Sequence, residues 1–135
     1  MIRVDINGGS IVVRLSGWDR FFSLRKSVRV PLDAVTSVRP APDLIRARPR
    51  GLRWPGAAWP FRPGPLFEGS FIGRDQRWTF WAVRRPAAGQ MLKIEADDRA
   101  AVNRYRLLVL QVHDPVSDTR RIQTAIDDLR SAEDR

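Results

Sequence analysis

The chain begins with strict alternation: Ile2, Val4 and Ile6 are separated by Arg3 and Asp5. A period of two places every second side chain on one face, so this stretch predicts a half-buried strand. Residues 11–15 form a second apolar run, and Asn7, Gly8 and Gly9 stand between the two. Asn and Gly accept the positive φ that tight turns demand, so the pair predicts a β-hairpin. The rhythm then changes. Trp18, Phe21, Phe22 and Leu24 fall near helical spacing and Ser16 can cap, which predicts a short helix near residues 17–24.

Residues 28–32 predict another strand, with Pro31 at an edge or at the strand's end because it cannot donate to a ladder. Asp33 and Ala34 turn the chain, and residues 35–38 return as a strand. Residues 40–65 hold seven of the ten prolines together with Gly51, Gly56 and Gly64. That density predicts a long loop excursion without regular helix or central strand. Residues 66–72 and 78–83 predict two more strands. The second is apolar on both faces: Trp78, Phe80 and Ala82 on one, Trp81 and Val83 beside Thr79 on the other. It is expected to be covered on each side. Strands follow at 91–95 and 105–112. Asp114 then provides an N-cap and Pro115 a first helical residue, predicting a helix over about 115–131 with a frayed end. Val116, Ile122, Ala125, Ile126 and Leu129 are expected to form its apolar face.

Seven or eight short strands before one amphipathic helix predict a mainly β fold, a small β-barrel plugged at one end. Residues 16–19, 30–38, 51–56, 69–71, 80–83 and 107–115 form a series of short pieces spread over most of the chain. In that order they resemble bacterial pleckstrin-homology-like proteins of a type common in actinobacteria. The resemblance implies a partly open β-barrel of two packed antiparallel sheets, with the last helix over one open end. Relatives of that fold in eukaryotes bind phosphoinositides or peptides. The phosphoinositide-binding type carries paired basic residues in its first hairpin; here that turn is Asn7-Gly8-Gly9.

A length of 135 residues fits one domain, 1–135, and 43% apolar content supplies one core. The absence of Cys excludes disulfides and thiolate metal sites. The alternating N-terminus is unlike a secretory leader, and no apolar run approaches a membrane helix of about 20 residues. A cytoplasmic location is expected. The formal charge is +9, and 22 of the 24 basic residues are Arg. The excess is regional: residues 1–90 carry 16 basic and 6 acidic groups, residues 91–135 carry 8 and 9. It can attract phosphates, acidic proteins or anionic lipid heads, or be simply a solvated surface.

Catalytic chemistry finds little here. His113 is the single histidine, without a second His or a Cys to share a metal and without a triad context. Asp97-Asp98 and Asp127-Asp128 fall in a polar turn and on a wet helix face. Gly8-Gly9 lacks the Lys-Ser/Thr and helix of a phosphate loop. The expectation is no enzyme, no cofactor, no metal and no small-molecule substrate. The candidate binding residues are Arg46, Arg48, Arg50, Arg53, Trp54, Trp59 and Arg62 in the proline-rich segment. Guanidinium groups interleaved with indoles can grip phosphates or enter an interface; alternatively the indoles fold back over a barrel opening. Arg25, Lys26 and Arg29 form a second basic cluster. The function expected is a non-catalytic interaction module for an unknown protein partner or for itself, as a homodimer. The alternative is an anionic-surface binder, for acidic lipid or nucleic acid, using segment 46–62.

Overall fold

The computed structural model describes residues 2–14, 27–46, 52–54, 67–72, 78–83, 88–97 and 105–133, with the backbone alone at 27, 45, 46, 52–54, 67–72 and 88. The helix expected near 17–24 lies outside the described residues.

The N-terminal alternation becomes an antiparallel three-stranded sheet of β1 (Arg3–Asn7), β2 (Ser10–Arg14) and β3 (Ser27–Pro31). Gly8 and Gly9 make the β1–β2 turn with φ of 58° and 78°, values that L side chains rarely adopt. Leu32 N–H donates to Gly9 C=O at 2.9 Å, which sets the phase of the next ladder. Ile11 faces Val30 and Val13 faces Val28, and these pairs exchange hydrogen bonds. The backbone groups of Arg29 and Pro31 therefore point away from β2. Pro31 sits at the strand's end on the sheet's edge, where its missing N–H costs no ladder bond.

A 3₁₀ corner, η1 (Leu32–Ala34), carries the chain into a six-stranded sheet. Its strands are β4 (Val35–Pro40), β5 (Leu52–Trp54), β6 (Phe67–Ile72), β7 (Trp78–Val83), β8 (Met91–Ala96) and β9 (Tyr105–Gln111), in spatial order β4-β8-β9-β7-β6-β5. Two further 3₁₀ turns, η2 (Pro42–Arg46) and η3 (Ala88–Gln90), precede β5 and β8. The fold is mainly β, in two sheets with one C-terminal helix, and among the described residues no strand of one sheet pairs with the other to close a barrel.

Three expectations need correction. The larger sheet is not wholly antiparallel, because β7 and β9 run parallel. The chain leaves β7, passes the position next to it to lay down β8, then returns antiparallel to β8 into the gap, so β9 enters alongside β7 in the same direction. Segment 40–65 is also not loop throughout. It opens with the end of β4 and η2, and it contributes β5 at the margin of the sheet, where proline-flanked residues need only one ladder. Val116 is not on the buried helix face but 49% exposed: that face starts at Pro115 and continues through Ile122 and Ile126, and Val116, about 100° round the helix from Pro115, is turned away from it.

The principal core lies between the two sheets and the helix. Val4, Ile11, Val13, Val28 and Val30 from the small sheet meet Phe80, Leu92, Ile94, Leu108 and Leu110 from the large one. Phe80 and Tyr105 pack edge to face, with ring centroids 5.6 Å apart. A bulge keeps each of two strands in phase with this core. Thr36 is extra in β4, so Val35 and Val38 share a face; Arg106 is extra in β9, so Tyr105 and Leu108 do. The opposite face of the large sheet holds a second cluster of Ala41, Trp81, Val83, Met91 and Val109, with Leu44 of η2 against it. Strand β7 thus has a core on both sides, as its two apolar faces require.

Helix α1 (Pro115–Glu133) runs two residues beyond the expected end and packs on β4, η1 and β1. Asp114 caps it, its Oδ1 accepting from Ser117 N–H at 3.1 Å. Ile122 and Ile126 are buried, and Ala125 and Leu129 pack partly buried beside them. Arg121 donates to the outward carbonyl of Val4 at 2.7 Å, tying the helix to the free edge of β1. Because Ile122 is fully buried and Val116 is not, Ile122→Ala should cost about 2–5 kcal/mol of stability. Val116→Ala should stay within about 0.5 kcal/mol, and Asp114→Ala should cost roughly 0.5–2 kcal/mol. Urea unfolding of the three variants checks the order; equal losses at positions 116 and 122 would contradict the helix placement.

Candidate functional site

The sequence candidates separate in space. Arg53 and Trp54 lie on β5, the last strand of the large sheet, and Arg46 ends η2. Arg48, Arg50, Trp59, Arg62, Arg25 and Lys26 fall outside the described residues. Arg29 is on β3, exposed, on the outer face of the small sheet.

That outer face brings together residues far apart in sequence. Register aligns Arg3, Arg14 and Ser27 in one row across the three strands, Asp5, Val12 and Arg29 in the next, and Asn7, Ser10 and Pro31 in a third. Three arginines therefore share the face with one carboxylate. Asp5 Oδ2 accepts from Arg14 Nε at 2.8 Å and from Arg3 Nε at 3.2 Å. Both bonds use Nε, so a single Asp5 oxygen holds two guanidinium groups. The arginine side chains remain 73% exposed at Arg3 and 49% at Arg14. Arg3 was legible as a polar member of the first, alternating run and Arg14 as the polar residue within the second, apolar run. Their union with Arg29 required the register that Gly8-Gly9 and the Leu32–Gly9 bond impose.

Three pairs of opposite charge meet elsewhere in the described residues. Lys93 Nζ lies 2.6 Å from Glu95 on β8. Arg121 bonds Asp118 on the helix. Arg39 forms a two-pronged bridge to Asp43 at 2.9 and 3.2 Å. That hydrogen bonding holds the Asp43 carboxyl below its usual range and the Arg39 guanidinium above its own.

The remaining candidates have ordinary surroundings. His113 is exposed in the bend between β9 and α1. Asp127 accepts from Gln123 Nε2 at 3.1 Å on the wet face of α1. Among the described residues no group of three His, Cys, Asp or Glu is placed to hold a metal, and no helix is long and apolar enough to cross a membrane. A cleft of about 270 Å³ opens between the last turns of α1 and the η1 corner. Its apolar floor includes Leu32, Val35 and Ile126, and its rim includes Asp33, Asp97 and Arg130.

Comparison with family models, with curated proteins and with solved structures found no match.

The Arg39–Asp43 bridge has a defined pH signature. A depressed carboxyl pKa contributes stability that is present above the unfolded-chain value and lost as pH falls through the folded one. Both groups are exposed, so the contribution is small. In a carboxyl NMR titration Asp43 should ionise below the ordinary aspartate range, and Arg39→Gln should raise it back. An Asp43 midpoint that ignores the substitution would remove the bridge.

Proposed function

We propose that the chain is a non-catalytic binding module that accepts an acidic, extended segment of a partner protein as an added strand beside β5. The observation that carries this reading is the position of Arg53 and Trp54 on the marginal strand of the large sheet. A marginal strand presents unpaired backbone donors and acceptors, and addition of a strand there is a common recognition mode.

The other three edges are each blunted. Arg121 occupies the outward Val4 carbonyl of β1. Helix α1 lies along β4. Pro31 takes an outward position of β3 and removes a donor from it. Among the described residues β5 has no strand beyond it and no such guard. Its chain neighbours Arg46, Arg48, Arg50 and Arg62 are all basic. Like charge disfavours a second copy of the same strand and favours an acidic one. The finer fold belongs to this proposal too. Two sheets around one core with a helix across their seam suit a pleckstrin-homology-like half-barrel, while the parallel β7–β9 pair departs from its antiparallel pattern.

The probe is an immobilised peptide of alternating Thr and Glu, with a Thr–Lys peptide as counterpart. The chain should be retained by the first and not the second. Joint replacement of Arg46, Arg48, Arg50 and Arg53 by Ser should abolish retention without changing the far-UV circular dichroism. Equal retention of the Ser variant, or a concentration-dependent dimer in light scattering that the variant also loses, would replace this reading. The dimer would put a second copy where the acidic strand is proposed.

A further inference from the structure

We propose that the outer face of the three-stranded sheet is a second binding surface, which holds the sugar–phosphate backbone of double-stranded nucleic acid without reading its sequence. It is separate from the β5 edge and does not rest on that reading.

The face carries polar donors around one buried side chain, Val12, 3% exposed. Arg3, Arg14 and Arg29 project from three adjacent strands, with Asn7 and Ser10 in the row beyond. One acid, Asp5, is present, and it is engaged by two of the arginines. The face therefore keeps a net charge of +2 where the pairs on β8, η2 and α1 cancel. Through the Asp5 brace the Arg3 and Arg14 guanidinium groups are set in order before a ligand arrives. Their Nη donors remain for phosphate oxygens, which guanidinium groups bind in a fork. Arg, Asn and Ser are residue types that contact backbone phosphates and sugars and fix position rather than sequence.

Geometry and composition favour a duplex. Three strands spaced about 4.8 Å apart, with rows about 7 Å apart, give a grid roughly 10 Å wide. Backbone charges recur about every 3.4 Å along each strand of a duplex, so the grid spans several of them. None of the nine residues of the face is aromatic, so it lacks the stacking platform that single strands need. It also lacks the exposed apolar anchor of an interfacial membrane binder. The exposed large apolar side chain among the described residues, Val116, is on α1.

The test is fluorescence anisotropy with a short labelled DNA duplex of mixed sequence, titrated across a salt series. The wild-type chain is compared with Arg3→Ser/Arg14→Ser/Arg29→Ser and with the corresponding triple Lys variant. Each lost phosphate contact removes about 0.9 from the slope of log affinity against log salt. The Ser variant should therefore lose roughly two to three slope units and bind at least about tenfold more weakly at low salt, while the Lys variant keeps most of the slope. Retention of the Thr–Glu peptide should be unchanged, which separates failure here from failure at β5. If the triple Ser variant unfolds, Arg29→Ser alone, at an exposed strand position, should reduce the slope by about one. An unchanged slope and affinity in the folded Ser variants overturns the proposal. So does binding to phosphatidylserine vesicles, lost in the Ser variant, with no binding to the duplex.

Discussion

Neither face of the six-stranded sheet can be left to water. Its two central partners, β7 and β9, alternate large apolar side chains to both sides: Phe80 and Leu108 to one, Trp81 and Val109 to the other. Side chains of this size each contribute about 1.5–3 kcal/mol when buried, so the sheet demands two covers. The N-terminal three-stranded sheet and α1 supply one. The segment around Ala41 and Leu44 supplies part of the second. This explains why Ala41 and Leu44, at the start of a proline-rich stretch, lie against the sheet, while residues 52–54 of the same stretch form a strand at its margin.

Covering the sheet creates edges, and the edges are treated unequally. Helix α1 closes the seam at β1 and β4, through Ile122 and Ile126 inside and Arg121 outside. Pro31 blunts β3 by chemistry alone. Strand β5 has neither device among the described residues. Sheets left with open margins are prone to unwanted pairing, and a run of arginines both discourages self-pairing and selects a partner of opposite charge. On the reading proposed above, that margin takes an acidic strand.

The small sheet uses its charge differently. Its inner face is aliphatic and consumed by the core, so every functional group it carries must lie on the outer one. Ladder register gathers the arginines there around the buried Val12, and the shared carboxylate of Asp5 offsets the repulsion between Arg3 and Arg14. The result is a basic grid on a sheet, as distinct from a basic segment whose arginines are neighbours in sequence.

Much of this was legible from local pattern. Alternation located β1, and short apolar runs between turn residues located β2, β3 and β6–β9, to within a residue or so, because both report which side chains a strand can bury. The Asp114-Pro115 pair placed the start of α1, because capping is a contact between neighbours. The double burial of β7 followed from its composition. What pattern could not determine was who lies beside whom. The parallel β7–β9 pair, β5 as a marginal strand and the union of Arg3, Arg14 and Arg29 all depend on the path between elements and on ladder register. Val116 shows the same limit within one helix: it has the right residue type, but the face that packs runs through Pro115, Ile122 and Ile126 and leaves it outside. Local side-chain chemistry decides what a segment can become, whereas burial shared among distant segments decides where it goes.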